Sequence, residues 1–113
     1  MTIRPKTFTV SASSGGNSHS GIFIPDRYQV PFNISIGAVA TTTCKFTIQH
    51  TFQDPLRTSA GALTWFPHDF IVAASANVDG NYAFPVGGIR VEASAHDTPT
   101  GGVSVTFIQA IGR

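Results

Sequence analysis

The chain has 113 residues, 42% of them hydrophobic and only 12% charged, with a formal net charge of +1. That length fits one domain able to bury roughly 65% of its unfolded surface, enough for a core without disulfides or metal. The near-zero charge gives no field to draw in a polyanion. The seven Lys and Arg residues stand singly, which argues against nucleic acid as a partner.

The charged share is about half that of an ordinary globular domain, and a surface so poor in charge fits a protein that works in contact with others. One cysteine, Cys44, leaves no intrachain disulfide and no cysteine-rich zinc site. Thr2-Ile3-Arg4-Pro5-Lys6 contains no apolar signal region, and no apolar run reaches membrane-spanning length, so synthesis and folding in a reducing cytosol are expected, with no membrane partner.

In chain order, residues 1–7 read as a short basic arm around Arg4, Pro5 and Lys6. Thr7 to Ala12 alternates and predicts a first strand. Ser13 to Gly21 (SSGGNSHSG) has the composition of a flexible loop. Ile22-Phe23-Ile24 reads as an apolar anchor before a turn at Pro25-Asp26-Arg27. Gln29 to Ile36 carries Pro31 inside a strand-like run, which predicts an edge strand or a bulge.

Thr43 to Gln53 gives the clearest alternation. Cys44, Phe46, Ile48, His50 and Phe52 fall on one face of a strand, with Lys45, Thr47, Gln49, Thr51 and Gln53 on the other. Arg57 to Leu63 has modest helical character, weakened by Gly61. Phe70 to Ala76 predicts a strand and Asp79-Gly80-Asn81 a hairpin turn. Gly88 to His96 and Val103 to Phe107 alternate as two final strands, joined by a loop at Asp97 to Gly102. The sum is a single all-β domain over residues 1–113, an antiparallel β-sandwich or jelly-roll-like barrel of about 7–9 short strands.

No catalytic, cofactor or metal motif stands out. His19, His50, His68 and His96 share no ligand spacing, and His50, on the apolar face of its strand, is expected to be a hydrogen-bonded core histidine. Gly16 to Gly21 (GNSHSG) lacks the G-x-S-x-G elbow and its strand-to-helix context. The carboxylates lie mostly at turns, and Asn77, Asp79 and Asn81 miss the spacing and terminal Glu of a calcium loop. A non-enzymatic protein without cofactor or metal follows. Trp65, Phe66, Phe70, Tyr82 and Phe84 cluster within a short stretch, and core filling accounts for most of them. Trp65-Phe66-Pro67 at a turn is also suited to plug a neighbouring subunit, and Trp65 with Tyr82 offers an alternative platform for sugar rings.

From Thr41 onward the runs Cys44-x-Phe46-Thr47-Ile48-Gln49-His50-Thr51-Phe52, Trp65-Phe66-Pro67-His68, Asp79 to Val86 with Ile89-Arg90-Val91, and Val105 to Ala110 resemble small virion proteins of tailed bacteriophages, in particular the head decoration, or cement, class. Residues 1–40 carry no part of this resemblance. It implies a structural protein of the capsid surface, made in the host cytoplasm, that forms a homo-oligomer and clamps the major capsid protein. A trimer is implied before a dimer, because many decoration proteins sit at threefold positions. The candidate interface residues on this reading are Arg4, Lys6, His19, Trp65, Phe66 and Tyr82, with the arm and the 13–21 loop ordering against the shell or a sister subunit. Other functions to weigh are a carbohydrate-binding β-sandwich module and a tail or head–tail accessory protein.

Overall fold

The alternation that begins at Phe46 forms a strand with Phe46, Ile48 and His50 turned inward, all three buried. A computed structural model of the chain describes residues 2–11, 18–26, 28, 32–40, 45–93 and 102–111. Within them run β1 (Thr2–Ser11), β2 (Ser18–His19), β3 (Ile34–Ala40), β4 (Phe46–Thr51), β5 (Phe66–Pro67), β6 (Val78–Tyr82), β7 (Gly88–Ala93) and β8 (Gly102–Ile111). Two antiparallel four-stranded sheets result, ordered β1-β8-β3-β6 and β2-β7-β4-β5. The ladders pair β1 with β8, β2 with β7, β3 with β6 and β4 with β5. A chain folded back on itself as one long ribbon and then wrapped into two layers gives this order, which is that of an eight-stranded jelly roll. Among the described residues no helix is long and apolar enough to cross a membrane.

The core lies between the layers. Ile34, Ile36 and Ala38 of β3 and Val103, Val105 and Phe107 of β8 face Phe46 and Ile48 of β4 and Ile89, Val91 and Ala93 of β7. Each large side chain here contributes about 1.5–3 kcal/mol by leaving water. Phe107 stacks on Phe23 at 5.2 Å and meets Phe8 edge-on at 5.9 Å. The Ile22–Ile24 anchor therefore works as read: Phe23 is buried and exchanges two backbone hydrogen bonds with Ile89. Gln109, buried at the end of β8, fastens the following residues, accepting from the Asp26 N–H at 2.8 Å and donating to the Asp26 carbonyl at 3.0 Å.

Several expectations are corrected. Residues 2–7 are not an arm: β1 starts at Thr2 and pairs with β8 along its whole length. Its edge position leaves half its N–H groups outside the ladder, which accommodates Pro5. Deleting residues 1–6 would remove half of an edge strand rather than a tether. Asp79-Gly80-Asn81 is not a turn but the middle of β6. Side chains of the 68–71 loop press on Gly80: a Cβ would stand 3.1 Å from Ile71 Cδ1 and 3.3 Å from His68 Cε1, and both would have to give by a few tenths of an ångström. Residues 70–76 form no continuous strand. They touch β4 at intervals, through Ile71 and Ala74, and Ala73 interrupts the ladder with a positive φ of 51°.

The helical character over 57–63 reduces to a single 3₁₀ turn at Ala60–Ala62. The β4 pattern also ends early. Thr51 is buried and its Oγ1 accepts the Gln53 N–H at 3.2 Å, a side-chain turn that swings Phe52 out of the core face into water. Cys44, Pro31, His96, most of the 13–21 loop and most of the 97–102 loop lie outside the described residues.

Candidate interaction surface

β5 and β6 are the edge strands on one open side of the sandwich, and side chains bridge the sheets there. His50 on β4 and Tyr82 on β6 meet through Nδ1 and the phenol oxygen at 2.9 Å. His68, just after β5, has its Nε2 2.9 Å from the Asn81 carbonyl, which only accepts, so Nε2 carries the proton. The other ring nitrogen, Nδ1, then accepts the N–H groups of Phe70 at 3.1 Å and Ile71 at 3.3 Å. Tyr82 lies between the two imidazoles, each edge-on to its ring, at 5.0 Å from His50 and 4.9 Å from His68. Burial holds the His50 imidazole below its ordinary pKa; the nearby His68 adds to this and Asp69 opposes it. Burial, with Asp69 second, pushes the Tyr82 phenol well above the usual tyrosine range.

Above this buried polar layer sits a shell of phenylalanines. Around His50 the centroids of Phe52, Phe84 and Phe66 lie at 5.2, 5.6 and 5.9 Å, and all three rings are substantially exposed. Phe70 comes from a bulge: Ile48 bonds to His68 and to Ile71, so Asp69 and Phe70 are looped out, with Phe70 almost wholly in water. Between Phe84 and Phe70 is a shallow cavity of ≈ 210 Å³ with Tyr82 and His68 in its lining and Asp69 beside them. The loop leading into β5 is held by Gln53, whose amide donates to the Ala62 carbonyl at 3.1 Å and whose Oε1 accepts the Thr64 N–H.

Of the six interface candidates Arg4, Lys6, His19, Trp65, Phe66 and Tyr82, Phe66 alone belongs to this exposed shell. Tyr82 is 2% exposed and forms its floor, so its side chain is not a contact surface. Trp65 lies on the outer face of the second sheet, with the Arg90 guanidinium 4.3 Å from its ring and Arg90 Nε donating to Gln49 Oε1 at 2.7 Å. Its partner in a sugar platform would be the buried Tyr82, so the two rings form no joint platform. His19 on β2 hydrogen-bonds Glu92 at 3.0 Å. Arg4 lies within β1, its side chain outside the described residues. Lys6 is exposed, 5.8 Å from the Phe8 ring, beside a groove of ≈ 680 Å³ between β1 and residues 22–26.

Phe52, Phe70 and Phe84 were missed as surface residues because periodicity and composition both assign phenylalanine to a core. The signals that move them are local: the Thr51 side-chain turn and the His68 bulge. Among the described residues no group of three or more His, Cys, Asp and Glu is placed to hold a metal ion.

No family model matches the chain, and no curated protein matches it in sequence. Among solved structures it is similar to a protein of the disulfide-linked pili that form Bacillus endospore appendages, at 12% identity and a TM-score of 0.44, over 98% of this chain and 88% of that one.

Proposed function

We propose that the chain is a structural, non-enzymatic protein of a phage virion: a head decoration subunit that self-associates and binds the major capsid protein on the outer shell. The observation that carries this reading is how polar and apolar groups are distributed. Buried His50, His68 and Gln109 all hydrogen-bond within the fold, while Phe52, Phe66, Phe70 and Phe84 stand in water. Reactive groups are thus engaged in structure, and sticky ones are presented to partners. Jelly rolls serve as capsid and lectin domains alike, and the fold is compatible with the first use. The outer face of the first sheet adds a second surface, polar and sparsely charged, where Thr7 and Thr106 hydroxyls lie 2.9 Å apart and those of Thr9 and Ser104 3.1 Å, with Asp79 of β6 on the same face. Weak contacts of this kind, repeated over a lattice, bind through effective concentration.

Co-sedimentation of the purified protein with head shells lacking it tests the reading. Saturable binding at a stoichiometry tied to the capsid lattice is expected. Recovery of only a few copies per particle would place the protein at the tail or head–tail junction instead. Binding to host polysaccharide that is lost in folded Trp65→Ala, with no shell binding, would replace the reading by the carbohydrate one.

A further inference from the structure

The phenylalanine shell has features that a merely exposed patch lacks. Phe52, Phe66, Phe84 and Phe70 are 58%, 44%, 39% and 83% exposed. At about 200 Å² per residue that leaves on the order of 450 Å² of phenylalanine surface in water. A stable interface buries about 800 Å² per partner, of which roughly 56–65% is apolar, so the shell alone supplies close to the apolar share of one side. The exposure is also built: buried His68 receives two backbone N–H groups to hold the bulge that displays Phe70, and Thr51 turns Phe52 outward. Knob and socket lie on one face. Phe52 projects 6.2 Å from Phe84, and Phe84 with Phe70 flanks the ≈ 210 Å³ cavity. A space of about 150 Å³ is enough for a benzene ring. Among the described residues Asp69 is the only charged one lining that cavity, and it is exposed, so apposing two such faces sets no dense charge against its like.

We propose that this face binds the same face of a second copy across a twofold axis, the Phe52 ring of each subunit entering the Phe70–Phe84 socket of the other. A surface carrying both halves of its own complement closes as an isologous pair. The proposal rests on the self-association in the reading above and replaces the trimer implied by resemblance with a dimer as the unit that meets the shell.

Sedimentation velocity on the purified protein, with Phe52→Glu, Phe70→Glu and the control Thr106→Glu on the outer face of the first sheet, tests it, with far-UV circular dichroism confirming each fold. Wild type and Thr106→Glu are expected as dimers, and the two phenylalanine variants as folded monomers with the dimer Kd raised roughly 30-fold or more. If either phenylalanine variant does not fold, the milder Phe52→Ser and Phe70→Ser carry the test. A wild type that remains monomeric at high micromolar concentration overturns the proposal, as does a dimer indifferent to both positions. A trimer dissociated by Phe52→Glu overturns the twofold geometry. Should the wild type be monomeric while the variants lose shell binding, the face belongs to the capsid protein. A dimer abolished by the variants but without affinity for shells leaves this inference standing and sinks the decoration reading.

Discussion

The inner faces of β3 and β8 and the corner around His50 are both buried, yet they are built on different principles. Ile34, Ile36, Val105 and Phe107 hold their place by apolar burial and close packing, contacts that are non-directional and tolerate exchange at constant volume. His50, His68 and Tyr82 hold theirs by directed bonds, each needing its partner at one distance. The first arrangement supplies most of the stability. The second fixes the positions of Phe52, Phe70 and Phe84 above it. Separating the two lets the surface be shaped without the core being redesigned.

The largest effect expected from breaking this contrast is in the core. Phe107→Ala should cost about 3–5 kcal/mol in urea unfolding, because Phe8 and Phe23 cannot both close over the void. His68→Ala should cost about 1–3 kcal/mol through the stranded Phe70 and Ile71 N–H groups and the Asn81 carbonyl. Its signature is local: amide exchange should rise at Phe70 and Ile71 and stay slow in β8. Uniform loss of protection would mean that the corner and the core unfold as one unit, and the contrast would fail.

Acid and base should act on the corner as well. Since the folded state holds His50 below 6.5, the unfolded chain binds more protons in that window. Stability therefore falls as pH drops from 6.5 through the folded pKa and levels off below it. Tyr82 has the opposite sense: raised above 10 in the fold, it contributes stability below pH 10 that is lost as pH rises further. Thermal melts across pH should show both limbs, and His50→Gln should flatten the acid one; an unchanged acid limb would assign it to other groups. Smallest of all, Thr106→Val on the solvent face should stay within about 0.5 kcal/mol of wild type by the same melts.

The contrast also explains what could be read from the chain. Period-2 alternation located β4, β7 and β8 and yielded the all-β sandwich, because strands with one buried face repeat their burial in sequence. His50 as a bonded core histidine followed from its place on such a face, and the structure bears this out. The corner was illegible for a physical reason. Its shape depends on a bulge stabilised by His68 and on a loop passing over Gly80, and both need partners distant in sequence. Asp79-Gly80-Asn81 carries a strong turn signal, yet it lies within β6, with the side chains of His68 and Ile71 packed closely over Gly80. Residues 2–7 were misjudged likewise, since nothing local announces that Thr106 to Ile111 will pair with them.

That last pairing has a consequence in time. With β1 the neighbour of β8, the first sheet cannot close until β8 has left the ribosome, so the strands made before it must wait for their partner. Contacts between such distant segments are slow to find, which places this protein among the slower folders of its size. Throughout that wait β3, central in the finished sheet, lacks the neighbour that will cover one of its edges, and a nascent chain in this condition is at its most vulnerable to aggregation.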